Sequence, residues 1–296
     1  MNAYLGAALW MGGAIVSFMG MAVAGRAASV ELNTFEMMTY RSFLGAIVMA
    51  FVLCLRRGWH EISLRHWRMH SARNLSHFVG QNLWFYALTV MPLAQLFAFE
   101  FTTPIWVILL SPLMLGTKLR WPGLVAAGVA FVGILVVARP GAVPIGPSVW
   151  AALGCAIGFA LPYFFTKKLL AYESISAILF QMVIMQATLG LIITSFDGGL
   201  TLPSPQLILP LVVITATGLV AHLCISKALQ LAPASVCAPI DFIRLPAIAV
   251  VGAVFYDEPI DIFVLLGAAL IFGGNYLNIV SEMKSNVVAS RAVAKD

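Results

Sequence analysis

The sequence predicts an all-α membrane protein of ten transmembrane helices in two inverted five-helix repeats. Three observations lead there. Hydrophobic residues make up 61% of the 296 positions and charged residues only 10%, against roughly 25% charged in ordinary globular chains. No Asp, Glu, Lys or Arg occurs in 1–25, 74–99, 101–117, 121–138, 142–166, 174–196, 198–226 or 262–281. Third, the second half of the chain echoes the first at a constant offset. A helix crosses the hydrocarbon with about 20 apolar residues. The runs lack the alternation of an outer-membrane barrel. A helical bundle then satisfies the backbone groups within each segment.

The spans are expected at roughly 4–23, 35–55, 73–91, 93–114, 120–138, 147–166, 174–195, 207–230, 234–256 and 260–280. In the first, Ala22-Val23-Ala24 resembles a signal-peptidase site, but no Lys or Arg precedes the apolar run. The segment is therefore read as a retained helix. Connections are short except 56–72, RRGWHEISLRHWRMHSA. Its basic residues with Trp59 and Trp67 suggest a short amphipathic helix at the membrane surface, meeting lipid, or a plain topogenic loop.

Lys and Arg set the orientation. With the N-terminus cytoplasmic, the cytoplasmic side collects Arg56, Arg57, Arg65, Arg68, Arg73, Lys118, Arg120, Lys167, Lys168, Lys284, Arg291 and Lys295; the far side holds only Arg26 and Arg139. Both termini are then cytoplasmic, as an even number of spans requires, in a multi-pass protein of the cytoplasmic (inner or plasma) membrane. The net charge of +5 follows from this topology and does not indicate nucleic acid. Cys54, Cys155, Cys224 and Cys237 lie apart in apolar segments without a CxxC, so neither a disulfide framework nor a metal knuckle is expected.

The internal repeat is clearest between YALTVMPLAQLFAFEFTTP (86–104) and KALQLAPASVCAPIDFIRL (227–245). Ala87-Leu88 aligns with Ala228-Leu229, Pro92 with Pro233, and Glu100-Phe101 with Asp241-Phe242, each 141 residues apart. AAGVAFVG (126–133) echoes LGAALIFGG (266–274) with slight slippage. The expected units are 1–140 and 141–283, with 284–296 as a cytoplasmic tail. Five spans per unit give opposite orientations, an arrangement of secondary transporters whose sites lie near the midplane between repeats.

The segments LWFYALTVMPLAQLFAFEFTTPIWVILLSPLMLGTKL and ALQLAPASVCAPIDFIRLPAIAVVGAVFYDEPI resemble the fourth-helix region of the drug/metabolite transporter superfamily, EamA type. FEMMTYRSFLGAIVM (35–49) resembles that family's second-helix motif, with its arginine at Arg41. The resemblance covers essentially the whole chain. It implies ten helices, cytoplasmic termini and secondary transport of small metabolites, often amino acids or related compounds. The chain departs from the pattern at Gly116-Thr117 and Asp257-Glu258, positions usually written Gly-Glu, and at Glu100, where many members have a small polar residue.

Charges inside membrane helices are expensive and default to function. Glu100 and Arg41 each lie about 10 Å in from the outer surface at 1.5 Å per residue, so the two are expected to approach each other or share a substrate. Asp241 and Arg244 are three apart and share a helix face. A carboxylate left without a partner takes up a proton, which makes Glu100 and Asp241 candidates for proton coupling. Fixed ion pairs locking helices together are the structural alternative. Arg244, whose repeat counterpart is Thr103, is the leading candidate for an anionic part of the substrate.

Asn74, His77, Gln81 and Trp84 make a polar line on helix three; His222 and Ser226 lie on helix eight. Gln81 and His222 are repeat equivalents, expected to line the cavity or to form interhelical hydrogen bonds. Gln181 and Gln186 carry less weight, and Lys227 is expected to snorkel. Trp84, Tyr86, Trp106 and Tyr163 could form an aromatic wall. His66 and His70, with His60 nearby, have helical zinc spacing but no acidic neighbour except Glu61. No phosphate loop, HExxH or GxSxG is present. The expected function is a permease, neither an enzyme nor a cofactor protein, with a non-transporting scaffold or receptor as the alternative. Mixed charges favour a zwitterionic, amino-acid-like substrate, and a riboflavin-like vitamin stays open. Prolines 104, 112, 162, 239 and 246 are the expected bending points for alternating access.

Overall fold

Long apolar runs fold into long helices because a bilayer offers backbone groups no other partner. The computed structural model describes residues 3–116, 121–139, 145–232, 237 and 240–293. All described elements are helical: α1 (Ala3–Ala28), α2 (Thr34–Arg56), a 3-10 turn (Gly58–Glu61), α3 (Trp67–Val90), α4 (Leu93–Glu100), α5 (Thr103–Leu115), α6 (Trp121–Ala138), α7 (Pro147–Leu169), α8 (Ile175–Phe196), α9 (Pro205–Leu231), α10 (Arg244–Tyr256) and α11 (Ile262–Val293). Lys118, Arg120, Pro233 and Pro239 lie outside the described residues. Eight helices among the described residues, with α4 and α5 taken together, are long and apolar enough to cross a membrane. α10 is apolar but short. α3 has the length, but it carries Arg73, Asn74, His77, Gln81 and Asn82, all buried.

Bulky apolar side chains such as Val16, Phe51, Phe131 and Phe255 cover the outside of the bundle, while α3 turns its polar face inward. That is the polarity a hydrocarbon solvent selects. The closest helix neighbours are α1 with α9, α6 with α11, α3 with α7 and α2 with α8. Advancing every helix by one repeat exchanges α1–α9 with α3–α7 and returns α2–α8 and α6–α11 to themselves.

Without a hydrophobic drive between helices, close approach depends on small residues. A Cβ on Gly158 would sit 2.6 Å from Gly80 Cα, so the α3–α7 crossing is a backbone contact. Gly133 and Gly267 do the same at the α6–α11 crossing, each placing a Cβ 2.6 Å from the other's carbonyl oxygen. α2 starts with a capping box: Glu36 N donates to Asn33 Oδ1 at 3.0 Å and Asn33 N to Glu36 Oε2 at 2.9 Å. Glu36 Oε1 also accepts from Thr201 N at 2.8 Å, tying this end of α2 to the α8–α9 loop.

The expected amphipathic helix over 56–72 does not form as a unit. Arg57 adopts a left-handed conformation that ends α2, the 3-10 turn follows, residues 62–66 are non-helical, and α3 begins at Trp67. Glu173, on the loop before α8, draws the segment in: His66 Nδ1 lies 3.2 Å and His70 Nε2 2.8 Å from its two oxygens. Trp59 and Trp67 stay exposed.

Candidate functional site

The fourth span is broken where the sequence demands it. α4 ends at Glu100 and α5 starts at Thr103, followed by Pro104, which has no N–H to give. Thr103 Oγ1 donates to the freed Glu100 carbonyl at 2.7 Å, and Asn275 Nδ2 to the Phe101 carbonyl at 3.0 Å. A second break lies 141 residues on: Asp241 is helical, Phe242 and Ile243 form a turn, and α10 begins at Arg244. The polar groups at the two breaks converge on one guanidinium. Arg244 Nη2 is 3.0 Å from Glu100 Oε1 and 3.1 Å from Asp241 Oδ2. Trp84 Nε1 on α3 donates to Glu100 Oε2 at 2.7 Å.

One guanidinium against two carboxylates gives this cluster a formal charge of −1. Its walls are aromatic. The Arg244 guanidinium lies 4.6, 5.1 and 4.8 Å from the ring centroids of Phe18, Phe97 and Phe101, within cation–π range. Phe101 and Phe272 meet edge to face, and Phe272 stacks on Phe242 at 4.2 Å. Arg244 is only 4% exposed, and its Nε and Nη1, with Asp241 Oδ1, have no hydrogen-bond partner among the described residues. The expected Asp241–Arg244 pair therefore exists, with Glu100 and Trp84 added to it.

Of the two alternatives expected for Arg41 and Glu100, direct approach does not occur: α2 packs on α8 and α9 rather than on α4. Depth along a helix does not encode position around the bundle. Arg41 is buried, and among the described residues its guanidinium makes one hydrogen bond, from Nη1 to Met38 Sδ at 3.6 Å. Nearby, Gln186 Nε2 and His77 Nδ1 are 2.8 Å apart, and the His77 and His222 rings lie 5.6 Å apart. Gln81 is buried with its Oε1 unpartnered. His77, Gln81 and Trp84 thus form one inward stripe on α3, from the Gln186–His222 region to the Glu100 cluster. Of the other aromatics, Trp106 Nε1 donates to Thr102 Oγ1, whereas Tyr86 and Tyr163 point outward. Lys227 is exposed, as snorkelling requires.

Several polar anchors escaped the sequence reading. Arg73 donates to Thr166 Oγ1 at 2.7 Å and to Asn74 Oδ1 at 2.6 Å. Arg26 donates to the Leu88 and Met91 carbonyls, pairs with Glu258, and lies 4.7 Å from the Tyr256 ring centroid; Glu258 also accepts from Leu93 N. Asp257-Glu258 departs from the usual Gly-Glu but keeps its acid at Glu258, which could have flagged that residue. Nothing in the sequence flags Arg26 as its partner. An apolar groove of about 620 Å³ lies between α3 and the start of α7, lined by Leu83, Tyr86 and Trp150. Among the described residues its lining carries no charged group.

A bundle of apolar helices with discontinuous spans and a buried charge cluster defines a polytopic membrane permease for small metabolites. The chain belongs to the EamA-like transporter family, whose model matches residues 5–139 and again 146–280. It is 29% identical to an S-adenosylmethionine uptake transporter of Rickettsia conorii, over 96% of both chains. It is 27% identical to a riboflavin transporter of Brucella anthropi, over 78% of this chain and 82% of that one. A solved crystal structure has the same fold, with TM-score 0.64 and 17% identity over 94% of this chain and 98% of that one.

Proposed function

We propose that the protein carries a cationic, amino-acid-like metabolite of the S-adenosylmethionine class, with the Glu100–Arg244–Asp241 cluster recognising its positive charge. The carrying observation is the −1 balance of a partly buried, aromatic-walled cluster, in which the Glu100 and Asp241 side chains are 13% and 21% exposed. A buried excess negative charge is stable only when matched. A sulfonium or ammonium supplies the match, and aromatic faces favour such cations. A proton on one carboxylate is the alternative match in the empty carrier, so exchange of proton for substrate at this cluster would couple transport to the proton gradient. The similarity to S-adenosylmethionine uptake transporters supports the substrate class.

The carrier is read as ten spans in two inverted units, 1–140 and 141–283, in the cytoplasmic membrane with both termini inside. The contacts support this topology: Arg26 with Glu258, Arg139 with Asp261 and Glu36 with Thr201 join ends assigned outside, while Glu61 with Ser174 and His70 with Glu173 join ends assigned inside. Rocking of one unit against the other would expose the cluster alternately to each side. Direct binding to protein in nanodiscs tests the substrate class. S-adenosylmethionine should bind, and S-adenosylhomocysteine, which lacks the sulfonium charge, should bind at least tenfold more weakly, about 1.4 kcal/mol. Equal affinity for the two, or binding of riboflavin alone, would reject the reading.

A further inference from the structure

We infer that Arg41 forms a second, anion-selective subsite that takes the carboxylate of the substrate, separate from the acidic cluster at Arg244. The inference rests on the substrate class proposed above and adds a place and an orientation for its other pole. Arg41 is 6% exposed and has no carboxylate within ion-pair distance among the described residues. The one hydrogen bond of its guanidinium among the described residues is to a thioether, a weak acceptor. Arg73 is equally short of acids, yet its guanidinium is served by Thr166 and Asn74. Arg41 is thus a buried guanidinium with neither a carboxylate nor an oxygen acceptor among the described residues, whereas Arg244 has two carboxylates. An uncompensated cation at this depth calls for an anion.

The surroundings suit one. Arg41 shares a small cavity with Ser42, Gln186 and Thr215, and Ser42 Oγ is buried without a partner. Gly218 on α9 lies against the guanidinium: a Cβ there would come within 2.7 Å of Arg41 Nη2. The cavity is about 10 Å³, the room of a single water. This conformer is therefore closed around Arg41, and the carboxylate enters as α2 parts from α8 or α9. His77 and Trp84 on α3 are seven residues apart, about 10 Å along the helix. His77 sits with Gln186 at the cationic subsite and Trp84 with Glu100 at the acidic one. A substrate with a carboxylate toward one end and a cation toward the other would lie along the stripe carrying Gln81, between the two subsites.

Paired probes test this: S-adenosylmethionine against its decarboxylated form, and L-methionine against 3-methylthiopropylamine, each bound to full-length protein in nanodiscs in isethionate buffer. Wild type should favour the carboxylate-bearing member of a pair by about 10- to 100-fold, the range of one or two charge-assisted hydrogen bonds. Arg41→Gln should abolish that preference while leaving the decarboxylated member within about threefold of wild type. Arg41→Lys should keep part of it. Gly218→Ala, which crowds the guanidinium, should lower it. Gly128→Ala, with open space at its Cβ, should not. If Arg41→Gln does not fold, the lysine and Gly218 variants carry the test. Absence of preference in wild type for both pairs, or its persistence in Arg41→Gln, overturns the inference. So does its abolition when chloride replaces isethionate, which would make Arg41 an inorganic-anion site. If only the methionine pair shows the Arg41-dependent preference and the adenosyl pair does not bind, the substrate class fails and the subsite stands. If the adenosyl compounds bind without discrimination, the subsite fails and the substrate class stands.

Discussion

Replacing Arg244 by Met leaves Glu100 and Asp241 facing each other across the space of one guanidinium. Both carboxylates use the same Arg244 nitrogen, at 3.0 and 3.1 Å. Removing one partner of a buried pair typically destabilises by about 3–5 kcal/mol, because a charge is left uncompensated. Glu100→Gln is milder. Asp241 still pairs with Arg244, the amide oxygen still accepts from Trp84, and the loss is about 1.5–3 kcal/mol. The double variant should fall well short of the sum, since a neutral amide at position 100 no longer repels Asp241. The expected coupling is about 1.5–3 kcal/mol in the favourable direction, within the range for residues in direct contact. Unfolding free energies measured in mixed micelles for wild type, both single variants and the double variant give this coupling directly. Additivity within about 0.5 kcal/mol would mean the three groups do not act as one cluster, and the charge argument would fall with it.

Trp84→Phe keeps an aromatic ring against Phe97 but removes the donor to Glu100; substrate binding should weaken by about 1.5–3 kcal/mol in a titration. Gly158→Ala drives a Cβ to 2.6 Å from Gly80 Cα, and overpacking of this kind should lower stability by about 1–3 kcal/mol in thermal unfolding. Gly128→Ala serves as the neutral comparison. Glu258→Gln weakens the latch that joins Arg26 and the start of α4; thiol labelling of a cysteine placed at Val90 should speed up if this end of the bundle opens more often.

The helical class and most spans were legible because a bilayer admits few backbone solutions, and uncharged runs report it directly. The two breaks were legible because the repeat placed Glu100-Phe101 over Asp241-Phe242, with Pro104 and Pro246 just beyond. Meeting partners were harder. The Asp241–Arg244 pair is local and could be read from its spacing, whereas Glu100–Arg244 joins residues 144 apart on elements whose angular placement no single sequence encodes. The same gap misled the pairing of Arg41 with Glu100, and it hid Glu173 from His66 and His70. α3 was legible as a polar stripe. Its burial at the centre explains why the polar residues of a membrane bundle are its interior.

Counterflow of labelled S-adenosylmethionine into proteoliposomes tests the central claim most directly, because it requires binding and return at both faces. Wild type should show saturable counterflow, with Glu100→Gln and Asp241→Asn each slowing it at least tenfold, about 1.4 kcal/mol. Counterflow of riboflavin without S-adenosylmethionine, or undiminished S-adenosylmethionine counterflow in both variants, would contradict it.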